Sequence, residues 1–163
     1  RPARRDRQGH FVPLLEQDPA VWSPPALRAA EHELRAAAAF GRPGRFQLEA
    51  AIQSAHVEGV LRGPTDWDVI AGLYEQLVAR APTLGSRIAQ AAAVAEARGA
   101  LEGLARLDAI EPAFTADYQP YHAVRAHLLQ RAGRGAEAAA AYERAIELTD
   151  DAALRGFLAA RRG

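Results

Sequence analysis

The sequence has 163 residues, with 20 basic and 20 acidic side chains and therefore no net charge, which argues against a general attraction to nucleic acid or to an anionic membrane. Its length suits one domain with a sizeable core. It contains no Cys, which excludes disulfides, thiolate nucleophiles and Cys-ligated zinc, and no apolar run approaches the roughly 20 residues of a membrane-spanning helix, so we expect a cytoplasmic protein.

Residues 1–22 are predicted to form an irregular arm, because Gly9, Pro13 and Pro19 interrupt any long helix there. The arm nevertheless carries apolar side chains that indicate that it lies along the rest of the domain: Phe11, Val12, Leu14, Leu15 and Trp22. Residues 23–163 are predicted to form the helical domain. Its first helix is predicted from Pro25 to Phe40, a stretch rich in Ala and Leu.

Two further helices are predicted before residue 82. One runs from Arg45 to Leu61 and ends at a Gly-Pro pair. The next begins at Thr65, whose hydroxyl is suited to capping the first N–H groups, and ends before Pro82. Apolar side chains recur in it at steps of three and four, which indicates one buried face; they are Ile70, Leu73, Tyr74, Leu77 and Val78.

The remainder of the chain is predicted to be helical as well. The segments are 86–98, 100–110, 119–132, 136–148 and 151–161, with Gly or Pro near several of the joints. No segment alternates polar and apolar residues as a half-buried strand does. The predicted fold class is therefore all-α, with about eight helices behind an irregular N-terminal arm.

A repeat with a period of about 34 residues runs through these helices. Gly99 and Gly133 stand one such period apart, at two predicted turns. The recurring apolar positions are Ala138, Tyr142 and Ala145, then Gly103, Leu107 and Ile110, then Ile70, Tyr74 and Leu77. This period and spacing predict a stack of helical hairpins of the tetratricopeptide kind over residues 65–150. The alternative is an Ala-rich helical bundle in which the spacing arises by chance.

Such a stack presents the first helix of each hairpin on a concave surface. The repeat register places these residues there: Ser86, Ala89, Ala93 and Glu96 from one unit, and Ala123, His127, Gln130 and Arg131 from the next. We predict a protein-binding surface at Glu96, His127, Gln130 and Arg131. His127 and Arg131 lie one helical turn apart, and Arg is enriched at binding hot spots.

Other site chemistries are not favoured. The histidines lack the spacing of a zinc-binding helix; they are His10, His32, His56, His122 and His127. Acidic residues stand at helix starts, where they stabilise the helix, and no nucleophile elbow or phosphate-binding Gly loop is present. We therefore predict a non-catalytic domain without metal, cofactor or small-molecule substrate. Arg1, Arg4, Arg5 and Arg7 are interpreted as a solvated linker that does not bind DNA.

The aromatic side chains Trp22, Trp67 and Phe46 are predicted to pack in the core or to anchor the arm to the helices, rather than to stack on bases. The sequence has no Met, even at position 1, so we interpret the chain as a piece of a longer protein.

Short motifs follow one another along the chain in a specific order. They are Leu14-Leu15-Glu16-Gln17-Asp18 with Trp22, the run Gly44 to Ile52, His56, Thr65-Asp66-Trp67 with Leu73-Tyr74, Ala93-Val94-Ala95, Gly99 with Gly103-Leu104, and Tyr121-His122 with Arg125-Ala126 and Leu128-Leu129. This order, over nearly all of residues 4–161, resembles the C-terminal tetratricopeptide-like extension of bacterial RNA polymerase sigma factors of the extracytoplasmic-function type.

The resemblance implies a domain that modulates transcription initiation by contacting the sigma core, the polymerase or a regulator. It also implies that promoter-binding and polymerase-binding domains precede Arg1. The alternative is a free-standing tetratricopeptide-like adaptor unrelated to transcription.

Overall fold

The structure, a computed structural model, describes residues 44–162 without a break and a few positions nearer the N-terminus. Those positions are 6, 8–12, 16–18, 22, 23, 25 and 29. Of the helix predicted from Pro25 to Phe40, only Pro25 and Ala29 are described, and both are helical. The rest of that prediction lies outside the described residues. The division into an arm and a helical domain stays a prediction.

All regular secondary structure between residues 44 and 162 is helical, which confirms the predicted all-α class. The helices of this part of the chain are α1 (Arg45–Arg62), α2 (Trp67–Arg80), α3 (Leu84–Arg98), α4 (Ala100–Asp108), α5 (Pro112–Thr115), α6 (Gln119–Arg131), α7 (Gly135–Glu147) and α8 (Ala152–Arg162). Apart from α5, which was not predicted, each helix end lies within two residues of its predicted position. Within the described residues, none of the helices has the length and apolar character needed to cross a bilayer.

The start of α2 differs from the sequence prediction. Asp66, rather than Thr65, caps the helix, because its carboxylate accepts a hydrogen bond from the Val69 N–H at 3.1 Å. Thr65 instead lies against Gly59 of α1, where a Cβ atom would come within 2.3 Å of the Thr65 Oγ1. The small residue therefore lets the chain after α1 fold back closely onto that helix.

The helices pack chiefly on their neighbours along the chain. The most extensive contacts are within the pairs α3–α4 and α6–α7, and each pair is joined by a short turn, so its helices run antiparallel. Both α3 and α4 also pack on α6, which places one hairpin against the next. On either side, α2 packs on α3 and α8 packs on α7. The described helices thus form a stack of helical hairpins.

Two core clusters hold successive hairpins together. The larger joins α3, α4, α6 and α7 through Ile88, Ala91, Ala95, Leu104, Leu107, Ile110, Leu128, Leu129 and Ala138. The second joins α6, α7 and α8 through Ala126, Tyr142, Ala145 and Leu158. Burial of each large apolar side chain stabilises the fold by about 1.5–3 kcal/mol, so the contacts between hairpins contribute to stability as those within hairpins do.

The turns between the paired helices repeat one backbone feature. Gly99, between α3 and α4, has a φ of 102°, and Gly133, between α6 and α7, has a φ of 76°. Only glycine adopts such angles without a steric cost from Cβ. Two positions that stand one period apart therefore carry the same residue type for the same physical reason.

The predicted aromatic anchors behave differently from one another. Trp67 is half-buried against the cluster that contains Ile70, as expected, whereas Phe46 is 77% exposed, so its predicted core role is wrong. The reason is helical geometry: Leu48 and Ile52 take the buried face of α1, and Phe46 lies about 200° around the helix from Leu48.

Candidate protein-binding surface

The predicted surface residues Glu96 and Arg131 form an ion pair between two hairpins. Glu96 lies in the last turn of α3 and Arg131 ends α6, and an Nη1 atom of Arg131 contacts Glu96 Oε1. The side chains of Arg131 and Glu96 remain 34% and 32% exposed, respectively. The pair therefore links neighbouring units and still presents charge to solvent.

Gln130 is held by two other helices. Its Oε1 accepts a hydrogen bond from the Tyr142 hydroxyl of α7 at 3.2 Å, and its Nε2 donates to the Arg161 carbonyl of α8 at 3.2 Å. Both ends of the amide are thus engaged within the chain. The Gln130 side chain therefore links α6 to both α7 and α8, and a partner would have to compete with these hydrogen bonds to bind its amide group.

His127 is half-buried on α6. Burial lowers the pKa of His127 below its usual value, the positive charges of Arg131 and Arg161 lower it further, and Glu96 opposes them. The imidazole is therefore mainly neutral at pH 7. We call the surface formed by Glu96, His127, Gln130, Arg131 and Arg161 the polar face.

Arg161 of α8 also belongs to this surface, although it was not predicted there from the sequence. Arg161 stands one period after His127, and His127 stands one period after Ala93. Extension of the repeat into α8 would therefore have predicted Arg161 on this surface. Its guanidinium carbon lies 4.6 Å from the centroid of the Phe157 ring. A cation–π contact of this kind stabilises by about 0.5–1 kcal/mol at an exposed site and so favours this position of the guanidinium.

The arm reaches the same helix. Glu16 Oε1 contacts Arg161 Nη2 at 3.0 Å, and the rings of Phe11 and Phe157 pack edge to face with centroids 5.4 Å apart. An exposed ion pair stabilises by about 0.2–1 kcal/mol and an aromatic pair by about 0.5–1.5 kcal/mol beyond its area. As predicted, these parts of the arm lie on the helical body, although the contacts are individually weak.

Two residues predicted on the concave surface have other roles. Ala93 is buried against Ile70 and Ala71, because α2 packs on this side of α3. The Ser86 hydroxyl completes a capping box with Thr83 at the start of α3. Glu96 is the charged side chain among those predicted from the α3 unit, and it lies at the polar face.

The described histidines occupy separate places. His56 packs edge to face on Trp67, and His122 Nε2 lies 3.0 Å from the Ala116 carbonyl oxygen. His10 lies beside Asp6 in the arm, and His32 lies outside the described residues. Within the part of the chain that is described, no group of three or more metal-binding side chains converges.

Comparison with known proteins adds one relative. An uncharacterized protein of Rhizobium meliloti (strain 1021) is 33% identical over 156 residues. The match takes in 96% of this chain, but the chain spans only 37% of that protein's length. No family model matches the sequence, and no solved structure is significantly similar to it.

Proposed function

We propose that the chain is a non-catalytic protein-interaction domain of the tetratricopeptide-like kind. In this proposal it is the C-terminal extension of a cytoplasmic extracytoplasmic-function sigma factor. Its polar face contacts the sigma core, the polymerase or a regulator and so adjusts transcription initiation.

Three features support the repeat assignment. The apolar positions of the pattern are buried in consecutive hairpins, with Leu107 matching Tyr142 and Ile110 matching Ala145 in the next unit. The turns of both hairpins use a positive-φ glycine. Each hairpin packs on the next, as expected for an array in which stability comes from contacts between neighbours.

The observation that carries the interaction role is the ion pair between Glu96 and Arg131 across two hairpins. Such a pair fixes the position of two half-exposed charges, so a partner does not have to order them on binding. Opposite charges at defined positions favour a partner with the complementary arrangement and steer its approach. Arg is also one of the residue types enriched at the hot spots that carry most of the binding energy of an interface.

One observation supports a place in a longer protein, and another supports a role in transcription. The relative from Rhizobium meliloti extends well beyond the matched region, because the chain spans 37% of it. The ordered motifs resemble the sigma-factor extension, and several lie at structural positions: Gly99 at a turn, Gly103 at a helix contact and Trp67 beside the core.

The test is a transcription assay with the full-length protein that carries this domain. One variant lacks the domain, and another exchanges the charges of the polar face through Glu96→Arg with Arg131→Glu. The exchange allows the ion pair to form but reverses the positions of the positive and negative charges that a partner would contact. The matched control exchanges the exposed pair at the start of α7, Arg134→Glu with Glu137→Arg.

We expect the truncation and the exchange at the polar face to alter transcription, and the control exchange to leave it unchanged. The double change His127→Ala with Arg131→Ala should act in the same direction as the exchange. If the truncation has no effect, the role in transcription is wrong and the free-standing adaptor is favoured. If only the truncation has an effect, the domain matters but the polar face is not its contact surface.

A further inference from the structure

The end of the polar face at α8 is covered by a segment of the chain's own arm. Phe11 packs on Phe157 and Glu16 pairs with Arg161, so an aromatic ring and a carboxylate from one short segment meet a ring and a guanidinium one helical turn apart. The arm is shaped for this: Gln17 Nε2 donates to the Val12 carbonyl at 3.2 Å, which brings the two ends of the segment together.

The charges around this position favour an acidic ligand. Arg161 and Arg131 both lie near enough to His127 for their positive charges to lower the pKa of its ring. Glu96 opposes them but is already paired with Arg131. The guanidinium of Arg161 therefore has the carboxylate of the arm as its acidic partner among the described residues.

The contact with the arm is suited to exchange rather than to permanent closure. The side chains of Arg161 and Glu16 remain 39% and 56% exposed, respectively, so solvent screens the ion pair. A segment tethered to its site binds with a high effective concentration, which keeps a weak contact occupied until a competitor is supplied.

We propose that this part of the polar face is a binding site for a partner segment that presents an aromatic ring and a carboxylate spaced as Phe11 and Glu16 are, and that the arm occupies the site until the partner displaces it. This inference rests on the proposed protein-interaction role and narrows it to one ligand chemistry. The arm serves as the template from which that chemistry is inferred.

The probe is a fluorescein-labelled peptide with the sequence of residues 8–18, titrated against the whole chain and followed by fluorescence anisotropy. One protein is wild type. The other, the arm variant, carries Phe11→Ala with Glu16→Gln, which weakens the binding of its own arm to α8. Because the free site is only fractionally available in the wild type, we expect the dissociation constant to be about tenfold lower for the arm variant.

Arg161→Ala in the arm variant should raise that dissociation constant by about tenfold, whereas Arg155→Ala on the same helix should leave it unchanged. The arm variant should bind a peptide that carries Glu16→Gln about tenfold more weakly than the intact peptide. This affinity should equal that of the intact peptide for the arm variant that also carries Arg161→Ala. Unchanged melting temperatures of the arginine variants establish that any loss of binding is local.

Equal affinity of the wild type and the arm variant would show that the arm does not occupy the site, and would overturn the proposal. Binding that ignores Arg161 or the peptide's carboxylate, or no binding to either protein, would overturn it too. If the peptide fails while the charge exchange at Glu96 and Arg131 still alters transcription, the proposed function stands and only this inference falls.

Discussion

Gly103 of α4 lies so close to Ala95 of α3 that a Cβ atom on the glycine would be 2.5 Å from the Ala95 Cβ. The same atom would be 2.7 Å from the Ala91 carbonyl oxygen and 2.9 Å from Leu128 Cδ1 of α6. The missing side chain therefore sets the distance between three helices. In the repeat register Gly103 matches Ala138, the small position of the next hairpin.

Gly103→Ala is expected to destabilise the protein, because the new methyl group overpacks a closed contact at a cost of about 1–3 kcal/mol. This cost exceeds the gain of up to about 1 kcal/mol that Ala brings to a helix interior. Gly72→Ala in α2 is the matched control, since nothing lies within 4 Å of its added Cβ, and it should stabilise the protein. Urea unfolding gives the free energy of unfolding of both variants. If both substitutions stabilise the protein, the close approach of Gly103 to Ala95 is contradicted.

Tyr142 is 1% exposed and fills the core between α6, α7 and α8. Tyr142→Ala should lower the free energy of unfolding by about 3–5 kcal/mol, as truncations of large core side chains do. Tyr142→Phe removes only the hydrogen bond to Gln130 and should cost about 0.5–1.5 kcal/mol. A loss below about 1 kcal/mol for the alanine variant would show that the repeat register is wrong.

The two turn glycines share a positive φ but should differ in the replacements that they tolerate. Gly99 combines a φ of 102° with a ψ of 159°, a region that side chains other than glycine rarely enter. Gly99→Ala and Gly99→Asn should both cost about 1–3 kcal/mol. At Gly133, with a φ of 76°, Asn should cost less than Ala, because Asn tolerates the left-handed region.

Gly135→Ala is the control for these turn variants, because its φ is not in the positive range and nothing lies within 4 Å of an added Cβ. It should be neutral or stabilising when thermal unfolding is measured for all of the variants at Gly99, Gly133 and Gly135. Equal losses at all three glycines would indicate that flexibility, rather than φ, is what these positions require.

The helices were predictable because Gly, Pro and helix periodicity mark them locally. The short α5 was missed since it has four residues and begins at Pro112, which in sequence also marks the end of the preceding helix. The cap of α2 was misassigned because Thr65 and Asp66 are both favourable cap residues, and the better of the two by intrinsic preference, Asp66, is the one that caps the helix.

The polar face was predictable only in part. The ion pair of Glu96 with Arg131 follows from the repeat register, which places residues about one period apart on adjacent hairpins. The contact of Glu16 with Arg161 joins positions far apart in the sequence, and no local pattern indicates such a pairing. The burial of Ala93 depends on where α2 packs, which periodicity alone does not give.

Two histidines should make stability depend on pH. Burial lowers the pKa of His56, and burial together with Arg131 and Arg161 lowers the pKa of His127. The unfolded chain then binds more protons than the folded chain below a pH of about 6.5, so acid favours unfolding. The free energy of unfolding should fall between pH 7 and 5, by at most about 1.4 kcal/mol per pH unit for each histidine.

Carboxylates with lowered pKa values, such as Glu137, lose their contribution as the pH falls through the ordinary carboxyl range and below it, so the fall between pH 7 and about 5 belongs to the histidines. His56→Gln with His127→Gln should flatten the fall, as measured by urea unfolding at a series of pH values. Ring-proton NMR titrations with midpoints at or above about 6.5 would contradict the assignment.

The last prediction concerns the arm and can be tested without a partner. Phe157→Ala alone removes both its contact with Phe11 and its packing beside Leu158, so its cost cannot be assigned to the arm. A double-mutant cycle with Phe11→Ala separates the contact with Phe11 from the packing beside Leu158. The loss of packing is the same whether or not Phe11 is present, so it cancels from the coupling free energy. The coupling free energy should be about 0.5–1.5 kcal/mol, the range for an edge-to-face aromatic pair.

Phe114→Ala, which removes an exposed ring from α5, replaces Phe11→Ala in the control cycle and should show no coupling to Phe157. Thermal and urea unfolding of the single and double variants give the four free energies. Coupling near zero in the Phe11 cycle would mean that the arm does not rest on α8 in solution. Coupling in the expected range, unchanged by high salt, would assign the docking of the arm to the rings, with the screened ion pair of Glu16 and Arg161 as the smaller contribution.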